Sequence, residues 1–268
     1  MLGINEKNRL ILSELDRKEK GPFTIKEATS VLNLAERKTA RILAHLARKG
    51  WLSRVKQGVY LSVPLGAVNP KEFKTNPWVT ANHVFSPCYI GGWSAAEHWH
   101  LTEQVFSSVV VFTSKKTRSS TVGIKGTAFI IRNADKSVFE SGVVVWLENE
   151  KVIVTNPART VADILDDPAI GGGIRNCAEI LNNYFTSEYK DEKKLLSAIK
   201  ALNNKTIYKR LGYLLEKTGI DMLKVLSECK SNISTGFTYL DPSIKLKGRI
   251  NTKWNLRINA EIKNDNTE

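Results

Sequence analysis

The sequence predicts an α+β fold: an N-terminal winged helix-turn-helix domain and a larger C-terminal domain with a mixed β-sheet and a helix-rich second half. Three observations carry this. Within residues 24–62 two amphipathic helical segments precede a short hairpin pattern, β-branched runs recur across residues 105–154, and from Ile174 onward apolar residues return at helical spacing.

In chain order, residues 7–15 form a first helix with Leu10, Ile11 and Leu15 inward, ended by Gly21-Pro22. Thr24 followed by Glu27 is a capping box, in which each side chain satisfies a backbone N–H orphaned at the helix start. Ile25, Ala28 and Val31 then share one face. After a turn at Leu32-Asn33-Leu34, residues 35–49 set Ala40, Leu43, Ala44, Leu46 and Ala47 on a core-facing stripe. The opposite face carries Arg37, Lys38, Arg41, His45 and Arg48, with Thr39 beside them, and Gly50 is a left-handed stop. Residues 51–55 and 59–62 pair across Lys56-Gln57-Gly58 as a wing with Arg54 and Lys56 near its tip. Helix, tight turn, helix and wing describe a winged helix-turn-helix. Such a helix fits the DNA major groove, where arginine pairs bidentately with guanine while lysines and wing cations neutralise phosphates. The plainer alternative is a solvated basic helix on a protein-binding module.

Val63-Pro64-Leu65-Gly66, Asn69-Pro70 and Asn76-Pro77 allow neither helix nor strand to run far. The boundaries follow: winged helix domain 1–67, linker 68–76, C-terminal domain 77–268. A short helix spans 77–84, and Ser94 with Glu97 forms a second capping-box pattern. Residues 105–113, 128–132, 142–147 and 151–154 suit strands. Asn156-Pro157 opens a helix, with Asn as cap and proline at the first position, and Asp166-Asp167-Pro168 closes it. Four helices follow over 174–185, 192–202, 207–217 and 222–230. Residues 237–258 return to extended character with turns at Asp241-Pro242 and Lys247-Gly248.

A chain of 268 residues is long enough for about two domains with real cores. Its formal charge of +13 favours a polyanionic partner, and the distribution sharpens this: residues 1–68 hold +7, leaving +6 over the other 200. No apolar run approaches the ~20 residues of a membrane span, and the N-terminus lacks a signal-peptide core, so a cytoplasmic location is expected. The three cysteines, Cys88, Cys177 and Cys229, are widely spaced without a CxxC, which argues for free buried thiols rather than disulfides or zinc.

Signs of catalysis are weak. A nucleotidyltransferase needs a Gly-Ser turn and an Asp-x-Asp pair to hold Mg²⁺, and Asp166-Asp167 is adjacent, before proline, and reads as a helix-ending turn. Glu148, Glu150 and Lys151 lie near strand ends without an upstream Asp and read as a charged hairpin. His98 and His100 flank Trp99 on a predicted helix, where i and i+2 do not face each other. Gly171-Gly172-Gly173 precedes a helix whose N-terminus is a potential anion cradle, but it lacks the Lys-Ser/Thr of a P-loop and reads as a flexible interdomain or interhelix connection. No catalytic residue, metal site or cofactor is expected. Two basic sets lie outside the reader: Lys115, Lys116 and Arg118 on a loop, and Lys245, Lys247 and Arg249, whose odd-numbered alternation puts three cations on one strand face. They are a candidate second nucleic-acid patch or a solvated charged surface.

The residues resemble the AbiEi family, AbiE-type antitoxins of bacterial type IV toxin–antitoxin systems. The resemblance rests on Gly50-Trp51-Leu52 and Gln57-Gly58-Val59-Tyr60 in the winged helix, on Tyr89-Ile90-Gly91-Gly92-Trp93-Ser94-Ala95-Ala96, on the stretch from Thr155-Asn156-Pro157 to Ala162-Asp163, and on the Trp254 to Asn259 ending. It implies a repressor that binds inverted repeats in the promoter of its own operon, as a dimer or cooperatively, and an antitoxin. The cognate toxin of the family is a nucleotidyltransferase, countered without a stable complex. By position it implies recognition-helix residues Arg37, Lys38, Thr39, Arg41 and His45 and wing residues Arg54 and Lys56, while Ala35 lacks the hydroxyl that contacts phosphate in many such helices. Two other classes stay open: a nucleic-acid-directed or nucleotide-directed enzyme in the C-terminal domain, and an adaptor that docks proteins on its winged helix.

Overall fold

Thr24 closes its capping box in full: its N–H donates to Glu27 Oε2 at 2.6 Å, and the Glu27 N–H donates to Thr24 Oγ1 at 3.2 Å. In this computed structural model, which describes residues 5–18, 21–63, 76–117, 119–134 and 142–262, that cap starts α2 (Ile25–Leu32), and left-handed Asn33 ends it. Helix α1 (Glu6–Lys18) precedes, α3 (Glu36–Arg48) follows, and strands β1 (Phe23–Thr24), β2 (Leu52–Lys56) and β3 (Val59–Ser62) form a sheet of order β1-β3-β2. This is a winged helix-turn-helix.

Its core is Leu15, Phe23, Ala28, Leu43, Leu46, Leu52 and Tyr60, with Ile11 and Leu12 packed against it. Each fully buried side chain of this size contributes about 1.5–3 kcal/mol. Leu10, expected inward, is 63% exposed, because α1 turns Ile11, Leu12 and Leu15 to the core instead. The predicted linker 68–76 lies, apart from Asn76, outside the described residues.

The chain forms two compact units: residues 1–89, 107–139 and 144–153 in one, and 90–106, 140–143 and 154–268 in the other. The first adds to the winged helix α4 (Pro77–Phe85), N-capped by Asn76 Oδ1, which accepts from the Trp78 N–H at 2.8 Å. It also carries most of a mixed six-stranded sheet built from β4 (Cys88–Ile90), β5 (Ser108–Thr113), β6 (Thr121–Ile124), β7 (Thr127–Asn133), β8 (Gly142–Leu147) and β9 (Glu150–Thr155). The order is β6-β7-β5-β4-β9-β8, with β5 parallel to β7 and β6 antiparallel to it. Glu148 and Asn149, both at positive φ, turn β8 into β9; Glu148 Oε1 accepts from the Asn76 N–H at 3.1 Å and Glu150 lies 3.6 Å from His83. These acidic residues thus serve a charged hairpin.

The second unit holds α5 (Gly92–His98), α6 (Pro157–Asp166), α7 (Ile174–Thr186), α8 (Glu192–Leu202), α9 (Lys205–Thr218), α10 (Leu223–Asn232) and a small sheet of β10 (Thr238–Tyr239), β12 (Leu256–Ile258) and β11 (Arg249–Asn251) in that order. Asn156 caps α6 as expected, accepting from the Arg159 N–H at 2.9 Å. Ser94 is not the N-cap of α5, which starts at Gly92 behind Gly91 and buries Ser94 within it. The three cysteines are free and buried.

One alternative closes and one expectation changes. Gly171-Gly172-Gly173 cradles no open anion site, because the Asp241 carboxylate occupies the N-terminus of α7, its Oδ2 accepting from the Ile174 N–H at 2.9 Å. The 245–249 alternation is not on one strand: β11 begins only at Arg249, and Gly248, at φ +67, breaks the alternation just before it.

Candidate nucleic-acid interface

A helix exposes whatever its core-facing residues leave over, and α3 leaves a cationic face. Thr39, Leu43 and Leu46 are fully buried, whereas Arg37, Lys38, Arg41, His45 and Arg48 are exposed. Among the described residues none of these cations takes part in an ion pair. Positive charge without a local counter-charge is what a phosphate-bearing partner neutralises. Ala35 supplies no side-chain cap; its carbonyl instead accepts from the Lys38 N–H at 2.9 Å, the position that the Thr24 hydroxyl serves in α2.

Thr39 departs from its expected place. It is fully buried and its Oγ1 donates to the Ala35 carbonyl at 3.3 Å, so it packs inward, about 100° of helix per residue having carried it off the basic face. Ala44 moves the other way. Placed on the core stripe by its spacing, it is exposed among Arg37, Arg41 and Arg48, where its methyl group adds little bulk to the basic face. Its angle on the helix wheel was the available signal.

In the wing, Arg54 is exposed opposite Tyr60. Lys56 is tethered: its Nζ donates to the Val84 carbonyl, in the last turn of α4, at 3.2 Å and lies 5.8 Å from the Phe85 ring centroid. Partial burial lowers its pKa, and the charge of Lys115 lowers it further. Lys115 comes close because the Thr113 Oγ1, at the end of β5, donates to the Phe85 carbonyl at 2.7 Å and accepts from the Lys115 N–H at 3.1 Å. The charge of Lys115 is thus within electrostatic reach of Lys56 in the wing. Lys115 and Lys116 are exposed, and Arg118 lies outside the described residues. Lys245, Lys247 and Arg249, all exposed, belong to the second unit.

Residues 11–63 match the family described as transcriptional regulator, AbiEi antitoxin. The N-terminal domain is thus similar to that of the AbiEi antitoxin regulators. The match spans α3 and the wing, the elements that carry the basic face. Across almost the whole chain the fold is similar to that in the "Crystal structure of RV2827C protein from Mycobacterium tuberculosis", with a TM-score of 0.63 and 14% identity over 95% of this chain and 92% of that one. At that identity the likeness concerns the fold. None of the curated proteins matches the chain.

The other candidates do not assemble a reactive centre. His98 ends α5 and stacks edge-on to Trp99 at 4.7 Å, while His100 sits at positive φ beyond the helix. Asp167 caps the 3₁₀ turn that follows α6, accepting from the Ala169 N–H at 3.2 Å. Among the described residues no group of three or more His, Cys, Asp or Glu is placed to hold a metal, and no helix is long and apolar enough to cross a membrane.

Proposed function

We propose that this AbiEi-type regulator is a sequence-specific DNA-binding repressor that binds inverted repeats in the promoter of its own toxin–antitoxin operon. The observation that supports it most is the exposed, uncompensated face of Arg37, Lys38, Arg41 and His45 on a helix braced by the buried Thr39, Leu43 and Leu46. Arginine reads guanine through two parallel hydrogen bonds, and the neighbouring cations set register on the phosphates. The protein acts in the cytoplasm by binding rather than turnover. As an antitoxin it counters a nucleotidyltransferase toxin without a stable complex.

The test is a fluorescence-anisotropy titration of the promoter repeats against a scrambled duplex. Arg41→Ala is expected to cost about 1–3 kcal/mol on the repeats and little on scrambled DNA. Equal affinity of the unaltered protein for both duplexes overturns the reading. For the antitoxin role, co-expression with the neighbouring toxin gene restores growth, while the two purified proteins elute separately.

A further inference from the structure

The second unit holds a cleft of about 750 Å³ between the start of α7, the end of α9 and the chain leading into β11. Its walls carry three cations, Arg175, Lys217 and Arg249, against one acidic residue, Glu261. Arg175 is held in place, its Nε donating to the Glu261 carbonyl at 3.0 Å. Lys217 and Arg249 make no ion pair among the described residues. Beside them the lining is apolar and aromatic: Tyr213, buried on α9, with the half-buried Ile244 and the exposed Leu246. Burial raises the Tyr213 pKa while the nearby Arg249 charge opposes it, which places phenol and guanidinium within electrostatic reach.

The path of residues 244–249 makes this arrangement. Ile244, Leu246 and Gly248 line the cleft while Lys245 and Lys247 do not, as an extended chain requires. At Gly248 the backbone takes φ +67, and a Cβ there would stand 2.6 Å from the Ile258 carbonyl oxygen. The alternation slips at that residue, and Arg249 joins the lining. Guanidinium and ammonium groups and a phenol next to apolar side chains match an anion with several acceptor oxygens joined to an apolar body. The volume lies in the range of small-molecule sites.

We propose that this cleft binds a nucleoside phosphate, with its phosphates on Arg175, Lys217 and Arg249 and its base against Tyr213 and Leu246. The site is separate from the reader helix, and its occupancy does not depend on operator recognition.

The test uses the full chain and the fluorescent nucleotide mant-ADP. Saturable binding below ~1 mM is expected. Lys217→Ala and Arg249→Ala, at half-buried and exposed positions, each weaken it by about tenfold or more, and Arg41→Ala on the reader helix leaves it unchanged. Circular dichroism melts confirm that both variants fold, and Tyr213→Phe, which keeps the ring, weakens binding severalfold. Unlabelled ADP displaces the probe, whereas inorganic phosphate at equal concentration does not. Absence of saturation, binding indifferent to Lys217 and Arg249, loss on Arg41→Ala, or displacement by scrambled duplex DNA but not by ADP would each overturn the proposal.

Discussion

Thr39 and Arg41 lie two residues apart, and burial gives them different work. The buried Thr39 hydroxyl donates to the carbonyl of Ala35, the N-cap of its own helix, so Thr39→Val should leave operator affinity unchanged and alter stability by about 1 kcal/mol at most. Arg210 shows the same logic inside the second unit. Its Nη1 donates to the Leu165 and Asp166 carbonyls, each at 2.7 Å, and its Nε to the Leu240 carbonyl at 3.1 Å. The first two end α6 and have no helical partner of their own. Arg210→Met keeps the length but strands those acceptors, and a loss of about 3–5 kcal/mol is expected in urea unfolding. Asp163, paired with Arg159 at 2.6 Å, is buried and its Oδ2 has no hydrogen-bond partner among the described residues. Burial pushes its pKa from 3.8 up to about 7, against the pull of Arg159. The folded state then holds this proton more tightly than the unfolded chain, so its contribution is fully present below about pH 4 and lost as pH rises through about 7. Unfolding free energies measured from pH 4 to 8 should show that decline, and Asp163→Asn should flatten it.

At the level of elements, close approach decides what spacing alone does not. Trp254, in the turn between β11 and β12, is fully buried on α9 where Gly212 leaves room; a Cβ at 212 would stand 2.2 Å from the ring. Its Nε1 donates to Glu216 Oε2 at 2.8 Å, one turn further along α9. Gly212→Ala is expected to destabilise by about 1–3 kcal/mol through overpacking, with a changed Trp fluorescence spectrum as the marker. Both α8 and β8 were legible to the residue: α8 repeats its apolar residues at helical spacing, and β8 is an unbroken apolar, β-branched run. The two-residue β1 and the short β4 and β6 carry too few residues for a period to emerge, and tertiary pairing makes them. Ser94 and Glu97 satisfied a local capping rule, yet a chain leaving β4 through Gly91 and Gly92 starts the helix earlier. The basic face of α3 was legible because charge and core alternate at one period. The tether of Lys56 to Val84 was not, since it joins residues 28 apart.

Over the whole molecule, the core of the winged helix is drawn from residues 11–60, yet its compact unit takes in segments as distant as 144–153. A fragment of residues 1–63 therefore carries its own core but lacks the Val84 and Phe85 partners of Lys56 and the Lys115 loop. It should melt cooperatively at a lower temperature than the full chain. If Lys115 and Lys116 extend the phosphate track beside the wing, each neutralised phosphate adds about 0.9 to the slope of log affinity against log salt. The full chain should then show a slope steeper by about 2 than Lys115→Ala/Lys116→Ala, and the fragment should resemble that double variant. Preference for the repeats over scrambled DNA should be the same in all three, since phosphate contacts carry no sequence information directly. Equal slopes for the full chain and the double variant would make these lysines solvated bystanders and confine the DNA-binding charge to α3 and the wing.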